Sequence, residues 1–210
     1  FEDLTIAVPL AAETGAEVVI PHYRLAPESP WPAAIDDGFS VFKEMSNEPL
    51  ALVGESAGGN LCLTLILRAF QLGIRLPQAA AFLSPWCDLS NAGPSVVNND
   101  GRDPALSAQH IDFAANYYVG EHDPTNPMIS PIYGVFDKSF PPSIITTGSR
   151  DLLMSQAMGL RDVLKDNNVP VELCLWKDLW HVFEWDYRLP ESSESIRQIS
   201  NWLQRYMPNF

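Results

Sequence analysis

The heptad Gly54-Glu55-Ser56-Ala57-Gly58-Gly59-Asn60 follows the apolar run Leu50-Ala51-Leu52-Val53 and leads straight into Leu61-Cys62-Leu63-Thr64-Leu65-Ile66-Leu67. The first run has the length and composition of a buried strand, and the second suits a helix. A strand that turns at once into a helix crowds its own backbone. Residues two before and two after the serine, Gly54 and Gly58, are therefore expected to be small of necessity. The serine hydroxyl then projects above the sheet, and neighbouring backbone N–H groups are free to donate hydrogen bonds. The same heptad also fits a glycine-rich turn whose serine caps a helix. A histidine and a carboxylate elsewhere in the chain would decide between the two.

Along the chain, short apolar runs alternate with helical patterns. Leu4 to Thr14 carries Leu4, Ala7, Val8 and Ala11 on one face and predicts a helix stopped by Gly15. Val18-Val19-Ile20 predicts a short strand buried on both faces. A proline-rich loop from His22 to Trp31 precedes a helix opened by Trp31-Pro32 and continued through Ile35, Phe39 and Phe42. Strand Leu50–Val53, the serine turn, helix Ala57–Leu72 and strand Ala79–Leu83 follow. Asn91–Asp103 reads as loop, Ser107–Tyr118 as a helix capped by Ser107, and Asp123–Tyr133 as loop again. Strand Ser143–Thr147, helix Leu152–Asn167, strand Val171–Trp176 and the amphipathic helix Ser192–Met207 complete the order. Strands alternating with helices, without repeat or linker, predict one three-layer α/β domain over residues 1–210 with a mostly parallel sheet.

Bulk properties narrow the partners. A chain of 210 residues is long enough for a real core, and 46% hydrophobic content with six tryptophans argues against disorder. A net charge of −13 disfavours nucleic acid and anionic lipid. The longest apolar stretch, Leu61 to Leu67, is far too short to span a membrane. Cys62, Cys87 and Cys174 are odd in number, widely spaced and set among apolar residues, which predicts buried free thiols rather than a disulfide. Those thiols, and the lack of a basic, apolar leader in these residues, make a cytoplasmic location the expectation. No cluster has metal-ligand spacing and no glycine-rich loop ends in G-K-[ST], so neither metal nor cofactor is expected.

Four histidines are available. His22 borders a rigid loop, His110 lies in a predicted helix and His122 in a polar loop. His181 follows the last strand, in the loop off its carboxyl end, where an open α/β sheet gathers its chemistry. Three carboxylates compete to partner it. Asp88 follows strand Ala79–Leu83, Asp178 stands only three residues from His181, and Asp151 follows strand Ser143–Thr147. Asp151 comes off the strand expected beside the histidine's own, so it is favoured. A serine hydroxyl is a poor nucleophile until a neutral imidazole takes its proton, and an acid fixes the tautomer of that imidazole.

The motifs YRLAPE (Tyr23–Glu28), GESAGG (Gly54–Gly59), SPWCDLS (Ser84–Ser90), DPALS (Asp103–Ser107), GSRDLL (Gly148–Leu153) and HVF (His181–Phe183) stand in this order. In that order they resemble the hormone-sensitive-lipase-like, family IV bacterial esterases of the α/β-hydrolase superfamily, over essentially the whole chain. The resemblance implies Ser56 as nucleophile, His181 as general base and then acid, Asp151 as its orienting partner, and the Ala57 N–H as an oxyanion donor. Glu55 stands where the family often has Asp. Glu55, Trp86, Trp180 and Phe183 are the candidates for binding substrate; the aromatics among them, with Trp185, would line an apolar acyl site, core packing being their other reading.

The family's HGGG segment, the strand leading into it and the N-terminal cap helices have no counterpart in these residues, which open on Phe1 in the middle of a helical pattern. Two explanations stand: the 210 residues are a piece of a longer enzyme, which is favoured, or a neighbouring chain repairs the sheet. Either way, an open slot or a partner strand is expected beside Leu50–Val53. The implied reaction is hydrolysis of short to medium acyl esters through an acyl-enzyme. Amide, peptide or lactone hydrolysis with the same triad, or a non-catalytic hydrolase-like binding protein, are the alternatives. A small-molecule ester is the expected partner, with a homodimer or strand supply by another segment or chain also open.

Overall fold

The short apolar runs become the sheet. In the computed structural model, which describes residues 2–207, β1 (Ala51–Glu55), β2 (Ala79–Leu83), β3 (Ser143–Gly148) and β4 (Val171–Trp176) lie in the order β1-β2-β3-β4. Each neighbouring pair is parallel. Parallel neighbours need a crossover between them, and helices supply it. The helices are α1 (Glu2–Thr14), α2 (Ala33–Met45), α3 (Ser56–Gln71), α4 (Pro94–Asn98), α5 (Ala108–Val119), α6 (Met154–Asp166) and α7 (Pro190–Tyr206). Single 3₁₀ turns stand at Pro131–Tyr133 and Phe183–Trp185.

Alternation along β2 builds the three layers. Ala80 and Phe82 pack with Leu63 and Ile66 of α3 and Leu160 and Leu164 of α6. Ala79, Ala81 and Leu83 pack on the other face with Ile6 and Leu10 of α1 and Ile199 and Leu203 of α7. Each large apolar side chain removed from water in this way contributes about 1.5–3 kcal/mol. Among the described residues no helix is long and apolar enough to cross a membrane.

Several expectations need correction. α1 ends at Gly15 as predicted, with Gly15 at φ +73 donating to Ala11 O. Its buried face, however, is Ile6 and Leu10, whereas Leu4 and Val8 are 51% and 60% exposed. The helical period admits more than one stripe here, and contact with α7 selects between them. Asn91–Asp103 is not all loop, since it contains the short helix α4.

The larger correction is Val18–Ile20, which forms no strand; these residues are 42%, 46% and 46% exposed. Extended backbone becomes strand only with a ladder partner about 4.8 Å away. Instead, a cleft of about 330 Å³ runs along the free edge of β1, walled by Ala16–Pro21 on one side and Leu50–Glu55 on the other. Among the described residues β1 pairs with β2 alone. The open slot expected beside Leu50–Val53 is therefore a feature of the structure.

Candidate active site

Because the strands are parallel, their carboxyl ends share one rim, and the loops leaving that rim are brought together. β1 ends at Glu55 and α3 begins at the very next residue, Ser56. So abrupt a turn forces Ser56 to φ +49, in the left-handed region that a non-glycine residue adopts at a cost of about 1–3 kcal/mol.

Crowding is unevenly shared among the flanking glycines. A Cβ on Gly54 would stand 2.3 Å from Gly58 O and 2.8 Å from Cys62 Sγ. One on Gly59 would stand 3.0 Å from Pro85 Cβ, whereas one on Gly58 would meet nothing within 4 Å. The expectation that Gly58 must be small is thus corrected: it faces the cleft, and Gly59 is the tight position. Gly54→Ala is expected to lower the unfolding free energy by about 1–3 kcal/mol, because backbone is what it meets. Gly58→Ala is expected to change it by less than about 0.5 kcal/mol. Urea unfolding of the two variants beside the parent checks both, and equal losses would show that the turn is not the constraint.

Ala57 follows in the first turn of α3, where backbone N–H groups lack intrahelical acceptors and the helix dipole favours negative charge. The Ser56 carbonyl accepts from Trp86 N at 3.0 Å, which ties the serine turn to the loop after β2. In that loop Ser84, itself at φ +46, accepts at Oγ from Val182 N at 3.0 Å. Val182 is β-branched and also at φ +46, a conformation such a residue rarely takes. Two hydrogen bonds thereby link the serine turn to the loop carrying His181. Nothing in the run Leu83-Ser84-Pro85 announces this role.

His181 Nδ1 lies 3.0 Å from Asp151 Oδ1, in a pair that is 6% and 0% exposed. The carboxylate is held on every side: Leu153 N donates to Oδ1 at 2.8 Å and the Thr147 hydroxyl to Oδ2 at 2.8 Å. Burial opposes ionisation of Asp151, but the charge and hydrogen bond of His181 and the other donors outweigh it and hold its pKa below the usual range. Burial also opposes the imidazolium of His181, yet the charge and hydrogen bond of Asp151, with smaller help from Asp103 and Glu55, raise its pKa above the ordinary value. The pair is built to carry a positive charge on the imidazole. With Nδ1 facing the acid, Nε2 is the nitrogen left for a reacting group.

The competing acids are otherwise engaged. Asp88 accepts from Ser90 N and Oγ and from the Tyr133 hydroxyl, and Asp178 sits exposed in the turn after β4 at φ +61. His22, His110 and His122 are all exposed, the last edge-on to Trp31. Of the residues proposed to line an acyl site, Trp86 is buried with Leu89, Val96 and Ile111 and donates from Nε1 to Asn91 Oδ1. Phe183 is wholly buried with its ring 5.5 Å from that of Trp176. Both are core side chains, because loops at the rim fold back over the strand ends. Glu55, Trp180 and Trp185 keep solvent exposure.

Cys62 and Cys87 are buried thiols, the former pushed up to about 12 by desolvation, and Cys174 is half-buried. Among the described residues no group of three His, Cys, Asp or Glu side chains is placed to hold a metal ion.

Comparison with known proteins places this geometry. A family model described as alpha/beta hydrolase fold matches residues 3–185. The chain is 31% identical over 201 residues to an acetyl-hydrolase of Streptomyces hygroscopicus, covering 93% of this chain and 67% of the relative. It is 28% identical over 200 residues to an esterase of Acinetobacter venetianus, covering 92% and 66%. The chain thus spans about two thirds of the length of these relatives. A crystal structure of a hormone-sensitive lipase from a metagenome library superposes with a TM-score of 0.92 at 31% identity, over 97% of this chain and 72% of that one. Family model, relatives and superposition agree: this chain belongs to the α/β-hydrolase fold, among the esterases of the bacterial hormone-sensitive-lipase type.

Proposed function

We propose that the protein hydrolyses short to medium acyl esters through a covalent acyl-enzyme. The buried His181–Asp151 pair, on a loop tied through Ser84 and Trp86 to the strained Ser56 turn, is the observation that carries this reading. Ser56 Oγ attacks the ester carbonyl carbon while His181 Nε2 takes the hydroxyl proton. Asp151 holds the imidazole tautomer and steadies the imidazolium. Negative charge on the carbonyl oxygen develops toward the Ala57 N–H. As the tetrahedral adduct collapses, the bond to the alcohol oxygen breaks and His181 gives its proton to that oxygen. A water molecule, deprotonated by His181, then attacks the acyl-serine; the acid is released and Ser56 regains its proton.

One donor is a sparse oxyanion site, and each absent donor costs about 3 kcal/mol, on the order of a hundredfold in rate. On this reading the cleft beside β1 receives an extended strand, from another segment or a second chain, whose adjoining N–H groups complete the site. Glu55 and Trp180, both half-buried at the rim, border the substrate. The name acetyl-hydrolase borne by the Streptomyces relative fits a short acyl group.

A panel of p-nitrophenyl acetate, butyrate and octanoate, the hemisuccinate ester and the matched acetanilide tests the reading. The expected result is the highest kcat/KM for an uncharged short or medium acyl ester, with the hemisuccinate and the anilide at least about tenfold lower. A preference for the anilide or for the acyl carboxylate would overturn it.

A further inference from the structure

Of the buried carboxylates that have no part in the mechanism above, Asp103 is the one that grips the loop carrying Asp151. Asp103 is 6% exposed and, among the described residues, belongs to no ion pair. Its Oδ1 accepts from Ala105 N at 2.8 Å and Leu106 N at 3.3 Å, closing the turn in which it lies. Its Oδ2 reaches across 49 positions of sequence to accept from Leu152 N at 3.1 Å. Leu152 is the residue immediately after Asp151.

The rest of that segment grips the same loop. Asn99 Nδ2 donates to Asp151 O at 2.8 Å and to Ser149 O at 3.3 Å. Ser95 Oγ donates to Leu152 O at 2.6 Å and accepts from Ser155 N at 2.9 Å. Four backbone groups of the loop, Ser149 O, Asp151 O, Leu152 N and Leu152 O, are therefore held by side chains of α4 and the turn after it. A loop pinned at both the C=O and the N–H of the Asp151–Leu152 peptide cannot rotate Asp151 away from His181 without breaking several buried hydrogen bonds, each expensive to leave unmade.

We propose that Asp103 is a positioning residue of the hydrolytic site: its carboxylate grips the amide next to Asp151, sets the direction in which Asp151 faces His181, and adds a second negative charge beside the imidazole. The inference rests on the hydrolase reading given above. Two carboxylates buried close together, neither ion-paired to a lysine or arginine among the described residues, repel each other, and a shared imidazolium relieves that repulsion. Burial raises the pKa of Asp103 first of all, and the Asp151 charge adds to the rise. Its donors at Ala105 and Leu152 and the charge of His181 pull the other way. The groups that bear on His181 are Asp151 from the loop after β3, Asp103 from the turn after α4, and Glu55 from the end of β1. The cations nearest in sequence are directed elsewhere. Arg102 donates to Asn99 Oδ1, and Arg150 donates to Arg102 O.

Asp103→Asn in the full chain tests the proposal. Asparagine keeps an oxygen for the turn but removes the charge and turns an N–H₂ toward Leu152 N. Two measurements are taken: the NMR titration of the His181 ring in the free protein, and the pH profile of kcat/KM. Losing a negative charge lowers the pKa of His181, so the ring titration and the acid limb of the profile are both expected to move to lower pH. The kcat is expected to fall about tenfold with KM little changed. A merely structural role lowers the amount of folded enzyme and moves neither curve, so an unmoved His181 titration overturns the proposal. If the asparagine variant does not fold, Asp103→Ser, which keeps a turn-closing oxygen without charge, is held to the same two readings. Failure of both to fold assigns Asp103 to structure alone and also overturns it. A parent chain that shows no ester turnover refutes the hydrolase reading instead, and the ring titration still decides the action of Asp103 on His181.

Discussion

Replacing Ser56 with alanine is expected to lower kcat for p-nitrophenyl butyrate by at least about a thousandfold and to abolish labelling by a fluorophosphonate. The size follows from the role proposed for the hydroxyl: on that mechanism no acyl-enzyme forms without it, and only water positioned by the remaining groups can react. Stability should hardly change. Alanine at φ +49 is no more comfortable than serine, and Ser56 is only partly buried, so the variant trades one hydroxyl for a hydrogen without opening a cavity. Intact mass after labelling, together with peptide mapping, reads the result directly. An adduct on another residue of an active preparation, or full turnover by Ser56→Ala, would remove Ser56 from the mechanism.

Asp151→Asn is expected to cost about ten-thousandfold in kcat while leaving the chain folded. The amide cannot accept at both Oδ1 and Oδ2. With its N–H₂ in place of Oδ1 it loses the bond from Leu153 N and forces the histidine proton onto Nε2, and with its N–H₂ in place of Oδ2 it loses the bond from Thr147 Oγ1. With Nε2 protonated, the imidazole has no lone pair for the serine. Asp88→Asn is the control. Asp88 binds Ser90 and Tyr133 and touches nothing of the histidine, so its loss is expected to cost about 1–2 kcal/mol of stability with kcat within a few-fold of the parent. Circular dichroism with urea unfolding separates stability from turnover. A large drop in kcat for Asp88→Asn, with Asp151→Asn active, would exchange their roles.

Local chemistry reaches a long way into this structure. The runs Ala79–Leu83 and Val171–Trp176 are strands with the predicted bounds, because an apolar run between turn residues has little else to become. Ser107 caps α5 through a hydrogen bond from His110 N, as its position before a helical pattern predicts. Strand adjacency favours Asp151 over Asp88, and parallel pairing of β3 with β4 is what brings it to His181. These are short-range patterns, or single-step consequences of them.

What needed tertiary structure is what depends on a partner distant in sequence. Val18–Ile20 has the composition of a strand, but a strand is a relation between two backbones, and across the cleft from β1 that relation is not made. Trp86 and Phe183 carry the same aromatic signal as Trp180, yet the loops fold two of them into the core and leave one at the rim. Gly58 reads like Gly54, and only the open space beside α3 distinguishes it. The clamp of Ser95, Asn99 and Asp103 on the acid loop spans roughly fifty positions and leaves only polar residues in a loop-like stretch as its trace. Residue type and spacing were enough to outline four of the strands and most of the helices, and to single out the candidate residues at their ends. Which side chains face the rim, which edge stays open and what holds Asp151 in place were decided by packing between distant segments, and spacing along the chain does not encode distance across it.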